Sequence, residues 1–263
     1  MARRITLNIC HLYPDLMDTY GDRGNILAIE YRCRQRDIDF IYTPITVNDK
    51  LSADQFDLYF FGGGQDQAQE IVGRDLKKKA PTLINSIENG ATLLSVCGGY
   101  QLLQENFKTK EGTNIPGIGL FKAYTVASDT RMIGNLSVEM NPKLASEIKI
   151  HYPAIQPSNY PAMLVGFENH SGKTYLRDTT SALATVLVGS GNNGEDKTEG
   201  VIYKNAFGCY MHGSLLPKNP QFADYLIAKA LQRKNGKVTL NPLDDSLEWQ
   251  VHSTVIEKIS RKG

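Results

Sequence analysis

Two short runs constrain the fold of this chain more than any other feature. Leu58–Phe61 (LYFF) leads into three glycines, and Thr92–Val96 (TLLSV) leads into Cys97-Gly98-Gly99. Strands without polar alternation are buried on both faces, which requires layers above and below the sheet. The neighbouring segments supply them. Residues 4–12 and 39–45 read as further strands, and residues 22–36 as a helix with Asp22 at its N-cap and Ile26, Ile29, Glu30 and Cys33 near helical spacing. Helices follow at 67–79 and 81–89, the second stopped by Gly90. This order predicts an α/β fold of three layers, a mainly parallel sheet with helices on both faces.

The second half is richer in strands: 120–126, 133–139, 164–168, 182–188, 201–203 and 208–211, then helices at 221–234 and 247–259. Residues 141–162 hold four of the eleven prolines and, like the polar stretch 189–200, read as a surface excursion. The second stretch lacks the carboxylate spacing of a calcium loop, so no metal is expected. With 263 residues, 41% of them hydrophobic, the chain can bury a full core.

Charge excludes several function classes. Lys and Arg total 29 against 28 Asp and Glu, so no net field recruits nucleic acid or a membrane surface. No run of 18 apolar residues and no signal-peptide core occurs, which predicts a soluble, cytoplasmic protein without membrane insertion. Cys10, Cys33, Cys97 and Cys209 form no CxxC pair and do not combine with the histidines into the spacing of a zinc site, so neither a disulfide framework nor a zinc site is expected.

Cys97 stands apart from the other three. A strand, a one-residue corner carrying a nucleophile, glycines and then a helix make a nucleophile elbow, with Ser95 where the serine version has glycine. The corner lies at a strand's C-terminal end, where open α/β sheets bind ligands, and a helix N-terminus there favours negative charge. A thiol that attacks a carbonyl needs oxyanion donors and a base. Gly98 N–H and one N–H from Gly62–Gly64, with Gly63 in the middle, are the donors to expect. Of five histidines, His212 and His170 both follow apolar runs and are rivals for the base.

At the next level the motifs carry a resemblance. Cys97-Gly98-Gly99-Tyr100-Gln101 resembles the CxGxQ signature of class I glutamine amidotransferases, whose fold is flavodoxin-like. His212-Gly213 resembles the CobB/CobQ-like branch. YGDRGN (20–25), FFGGGQDQ (60–67), VGFENHSGKTY (165–175) and YMHGSLLPKNP (210–220) are similar to the GatD family, the glutaminase subunits of lipid II isoglutaminyl synthases. The resemblance implies a glutamine amidotransferase domain over 1–235 with a helical extension over 236–263. It also implies Cys97 as nucleophile, His212 as base, and Arg131 and Gln101 as binders of L-glutamine, with no cofactor. It further implies a MurT-like Mur-ligase partner in a heterodimer, which uses the ammonia to amidate D-glutamate of the peptidoglycan stem peptide. Ser214 stands where other class I enzymes carry an acid, so a Cys-His dyad is expected, and whether a third residue orients His212 is left open. Residues 141–162 and those after Gly236 are candidate partner contacts. A γ-glutamyl hydrolase or peptidase on the same fold, and a silent binding subunit, are the alternatives.

Overall fold

The structure, a computed structural model, describes residues 4–110, 112–151 and 162–261. In chain order the elements are β1 (Thr6–Leu12), α1 (Arg23–Arg34), β2 (Asp39–Ile45), β3 (Leu58–Phe61), α2 (Asp66–Glu88), β4 (Thr92–Val96) and α3 (Gly98–Leu102). Then come β5 (Asn106–Lys108), β6 (Asn114–Pro116), β7 (Ala123–Met140), α4 (Pro142–His151), β8 (Met163–Leu176) and β9 (Ala184–Val188). β10 (Thr198–Glu199), β11 (Val201–Tyr203), β12 (Ala206–Cys209), α5 (Pro220–Asn235) and α6 (Ser246–Ser260) complete the order. Among the described residues no helix is long and apolar enough to cross a membrane.

The main sheet runs β11-β12-β4-β3-β1-β2, with every pairing parallel except the β11–β12 edge. Every residue of β3, β4 and β12 is buried, as strands covered on both faces must be. A second sheet, β10-β9-β7-β5-β6 with β8 on β7, is antiparallel apart from β5–β7. It stands over one end of the main sheet, and a two-residue bridge between Phe167 and His212 joins the two.

Several sequence expectations change in the fold. The two helices read at 67–79 and 81–89 are one, α2, with Pro81 inside it. Pro81 is exposed, so water can serve the carbonyl that loses its partner, while Val72, Leu76, Leu83 and Ile87 keep one continuous buried face. The strands read at 120–126 and 133–139 are also one, β7. β8 pairs with it up to Ala127 and again from Met132, and the register shift between them spans the polar middle. Residues 142–151 of the expected excursion form α4, and residues 152–161 lie outside the described ones.

On the last helix Trp249, His252 and Ile259 are buried, as is Asp245 just before it, whereas Leu247 and Val251 face outward. The helix packs on its own chain, against β7, β8 and the 3-10 turn Leu216–Lys218.

Candidate active site

Four parallel strands deliver the site from their C-terminal ends. β4 ends at Cys97, β12 leads through Tyr210 and Met211 to His212, β3 opens into Gly62–Gly64, and β1 leads to the loop that carries Asp22. Cys97 has φ 50° and ψ −111°, a conformation an L-residue adopts only when its surroundings enforce it. Here the Cys97 N–H donates to Cys209 O (2.9 Å), and the Cys97 carbonyl takes the Gln101 N–H as α3 begins (2.9 Å). The thiol therefore stands above the sheet edge at a helix start, 9% exposed.

His212 is fully buried and its ring stands beside Cys97, since a Cβ on Gly63 would meet both His212 Cε1 and Cys97 Cβ. Its backbone is pinned by the bridge to β8, with His212 N donating to Phe167 O at 2.8 Å. Behind the ring, Asp22 Oδ1 lies 3.3 Å from His212 Nδ1. Burial alone would lower the imidazole, but the Cys97 sulfur and the Asp22 carboxylate outweigh it and raise His212 from 6.5 to about 10. The third position left open beside the dyad is filled by Asp22, which comes from the β1–α1 loop and not from position 214. Asp22 is also no side-chain N-cap; it sits in helical backbone and its carboxylate makes no capping bond. In YGDRGN, Asp22 stands before a helix, and a cap and a catalytic-type acid look alike in sequence. The usable signal was position, a carboxylate among glycines at the C-terminal end of a parallel strand.

The second oxygen of Asp22 corrects another expectation. Oδ2 accepts the Gly63 N–H at 2.7 Å, so that donor is already engaged and cannot face an oxyanion. Gly64 takes its place: its nitrogen is 3.0 Å from where a Cβ on Gly98 would stand, and Gly64 lines the cavity beside Cys97. The candidate oxyanion donors are thus the N–H groups of Gly98 and Gly64. Gly63 has a steric role, since a Cβ there would stand 2.9 Å from His212 Cε1 and 3.2 Å from Cys97 Cβ.

A cavity of about 560 Å³ opens in front of Cys97, between the main sheet and β7–β8. Gln101 lines it and donates Nε2 to Tyr210 Oη at 3.0 Å, which directs its carbonyl oxygen elsewhere. Tyr210 Oη in turn meets Thr174 Oγ1 at 2.7 Å, part of a buried polar network with Thr125 and Gln104. Arg131 also lines the cavity, from the irregular stretch of β7, where a bulge re-aims side chains. Its Nε donates to Asn169 Oδ1 at 2.7 Å, a neighbour that sequence reading had not singled out.

His170, the rival base, lies flat on Tyr210 at 3.6 Å between ring centroids, and its Nδ1 donates to Gly172 O at 2.8 Å. Burial lowers it to about 4, so it is a neutral wall of the cavity and not the partner of Cys97.

An elbow cysteine with a buried histidine beside it and an acid behind that histidine agrees with the sequence comparison. Residues 8–220 match the CobB/CobQ-like glutamine amidotransferase domain. The chain belongs to that family. Two relatives align with this amidotransferase almost end to end. The lipid II isoglutaminyl synthase (glutamine-hydrolyzing) subunit GatD of Staphylococcus aureus is 35% identical over 256 residues, 97% of each chain. Its namesake from Streptococcus pneumoniae is 38% identical over 247 residues, 93% of this chain and 88% of that one. They place the amidotransferase in the GatD group. Among solved structures, PurLQS from Thermotoga maritima is similar in fold, with a TM-score of 0.57 and 16% identity over 86% of this chain and 98% of that one.

Proposed function

We propose that this chain is the cytoplasmic glutaminase subunit of a lipid II isoglutaminyl synthase, paired with a MurT-like ATP-dependent ligase that amidates D-glutamate of the stem peptide. The observation that carries the reading is the order Cys97, His212, Asp22, the imidazole beside the thiol and the carboxylate 3.3 Å behind it, at a cavity that Arg131 also lines. The near end-to-end similarity to two GatD subunits supports the acceptor and the partner.

The chemistry follows from these positions. Arg131 takes the α-carboxylate of glutamine with its guanidinium, and the Gln101 carbonyl oxygen accepts from the α-ammonium. The side-chain amide then lies over Cys97. The thiolate adds to the amide carbon, and the new oxyanion is held by Gly98 and Gly64 N–H. Protonated His212, steadied by Asp22, gives its proton to the departing nitrogen, so ammonia leaves and a γ-glutamyl thioester remains. Neutral His212 then takes a proton from water, the hydroxide adds, and collapse returns glutamate and thiolate.

The test is glutamate release by the purified chain, alone and with a Mur-ligase-like partner. Wild type is expected to hydrolyse glutamine and Cys97→Ser to lose all but a few per cent of activity while staying folded. Faster cleavage of γ-glutamyl peptides than of glutamine, or an active serine variant, would overturn the reading.

A further inference from the structure

α6 lies beyond the matched domain, yet its buried polar side chains end on the two segments that carry His212 and Asp22. His252, fully buried, bonds Lys218 O through Nδ1 at 2.8 Å. A carbonyl only accepts, so the ring holds its proton on Nδ1. Lys218 closes the turn after His212, and its Nζ reaches back to the carbonyl of Gly213. On the other side Asp245, at the N-cap of α6, accepts from both Nη atoms of Arg32 at 2.6 and 2.9 Å. Arg32 belongs to α1, the helix that starts directly after Asp22.

The two segments are also joined to each other. Ser214 Oγ donates to Gly21 O at 2.6 Å, and Leu216 N to Asn25 Oδ1 at 2.9 Å, while Asn25 Nδ2 holds Asp22 O at 3.0 Å. A Cβ on Gly24 would stand 2.0 Å from Ser214 Oγ, so the approach needs a glycine there. The residue in the position of the missing acid therefore clamps the loop that brings the acid in.

We infer that α6 is a positioning element for the acid–base pair, with His252 and Lys218 holding the His212 segment and Asp245 holding α1 through Arg32. The inference rests on the assignment of Cys97, His212 and Asp22 to the chemistry proposed above. A 1 Å misplacement of reacting groups costs on the order of 10²-fold, so even partial release of the segment is measurable.

The experiment uses the full chain. His252→Leu removes the donor at similar volume, His252→Asn keeps a donor near the Nδ1 position, and Leu247→Ser alters the outer face of α6. Glutamine kcat and KM are measured together with the pH profile of Cys97 alkylation by iodoacetamide, followed by mass spectrometry. His252→Leu is expected to lower kcat about tenfold with KM within about twofold, and to move the alkylation profile. His252→Asn restores most of both, and Leu247→Ser changes neither. If His252→Leu does not fold, Asp245→Asn reads the other hold of α6, on Arg32. A folded His252→Leu, or in its place a folded Asp245→Asn, with wild-type kcat and alkylation profile would overturn the inference, leaving α6 a packing element. Should wild type hydrolyse no glutamine, the glutaminase reading falls, and the alkylation profiles still decide whether α6 positions the pair.

Discussion

Replacing Asp22 with Asn tests the triad most directly, because it separates the carboxylate's two contacts. The asparagine oxygen can still accept the Gly63 N–H, while its NH₂ group then faces His212 Nδ1. Nδ1 must now accept, so the neutral ring carries its proton on Nε2 and cannot take one from Cys97. The Cys97 sulfur and the Asp22 carboxylate together raise His212 against the pull of burial. A hydrogen bond to a charged group is worth about 1.5–3 kcal/mol, so its loss corresponds to up to on the order of 10²-fold in kcat/KM. The 3.3 Å separation is longer than a strong charge-assisted bond, which favours this figure over the ~10⁴-fold reached in a serine protease triad. Asp22→Ala additionally strands a buried N–H, at about 1–3 kcal/mol of stability. Steady-state glutamine hydrolysis and thermal melts on both variants are the assay. The expected pattern is similar activity loss in both with a lower melting temperature in the alanine variant only. A kcat/KM for Asp22→Asn within about threefold of wild type would refute the reasoning.

Arg131→Ala should raise KM for glutamine at least about tenfold with little change in melting temperature, since the side chain is exposed; an unchanged KM would make it a surface arginine. Gly63→Ala should cut kcat about tenfold or more, because its Cβ meets His212 and Cys97; a crystal structure with both side chains unmoved and full activity would contradict this. Stability should peak near pH 6.5. His11 and His170 have folded pKa values lowered to about 4, so their contribution is present above 6.5 and lost as pH falls through 4. His212, raised to about 10, and Glu199, raised by burial to about 8, contribute below their unfolded values of 6.5 and 4.5, and that contribution is lost as pH rises through 10 and 8. Melting curves across pH 4–9 check this, and Glu199→Gln should flatten the decline between 6.5 and 8.

Free ammonia is wasted unless an acceptor site is docked nearby, which favours a glutaminase that is weak alone, whereas the 3.3 Å contact with Asp22 orients the imidazole without a partner. With the partner bound, glutamine kcat/KM is expected to rise by roughly tenfold or less, and a rise well above that would show that the partner completes the site.

The amino-acid sequence alone determined what depends on neighbours in the chain. Apolar runs without alternation meant covered strands, and Cys97 between Val96 and two glycines meant an elbow whose side chain stands clear at a strand end. The interval from strand to corner to helix spans only a few residues, so short-range sterics suffice to predict it. Tertiary structure decided everything that depends on which strand ends lie side by side. β4 pairs with β12 across more than a hundred residues, and that pairing brings His212 and not His170 to Cys97. β1 lies one strand beyond β3, so Asp22 must reach over Gly63, and the same reach takes that N–H out of the oxyanion hole and leaves the role to Gly64. Pro81 stays inside a helix because its side faces water, and Arg131 points at the cavity because β8 holds a bulged strand through a stretch that reads locally as a loop. Local propensities are short-ranged and degenerate: an aspartate before a helix reads as a cap until the fold shows which groups its two oxygens meet.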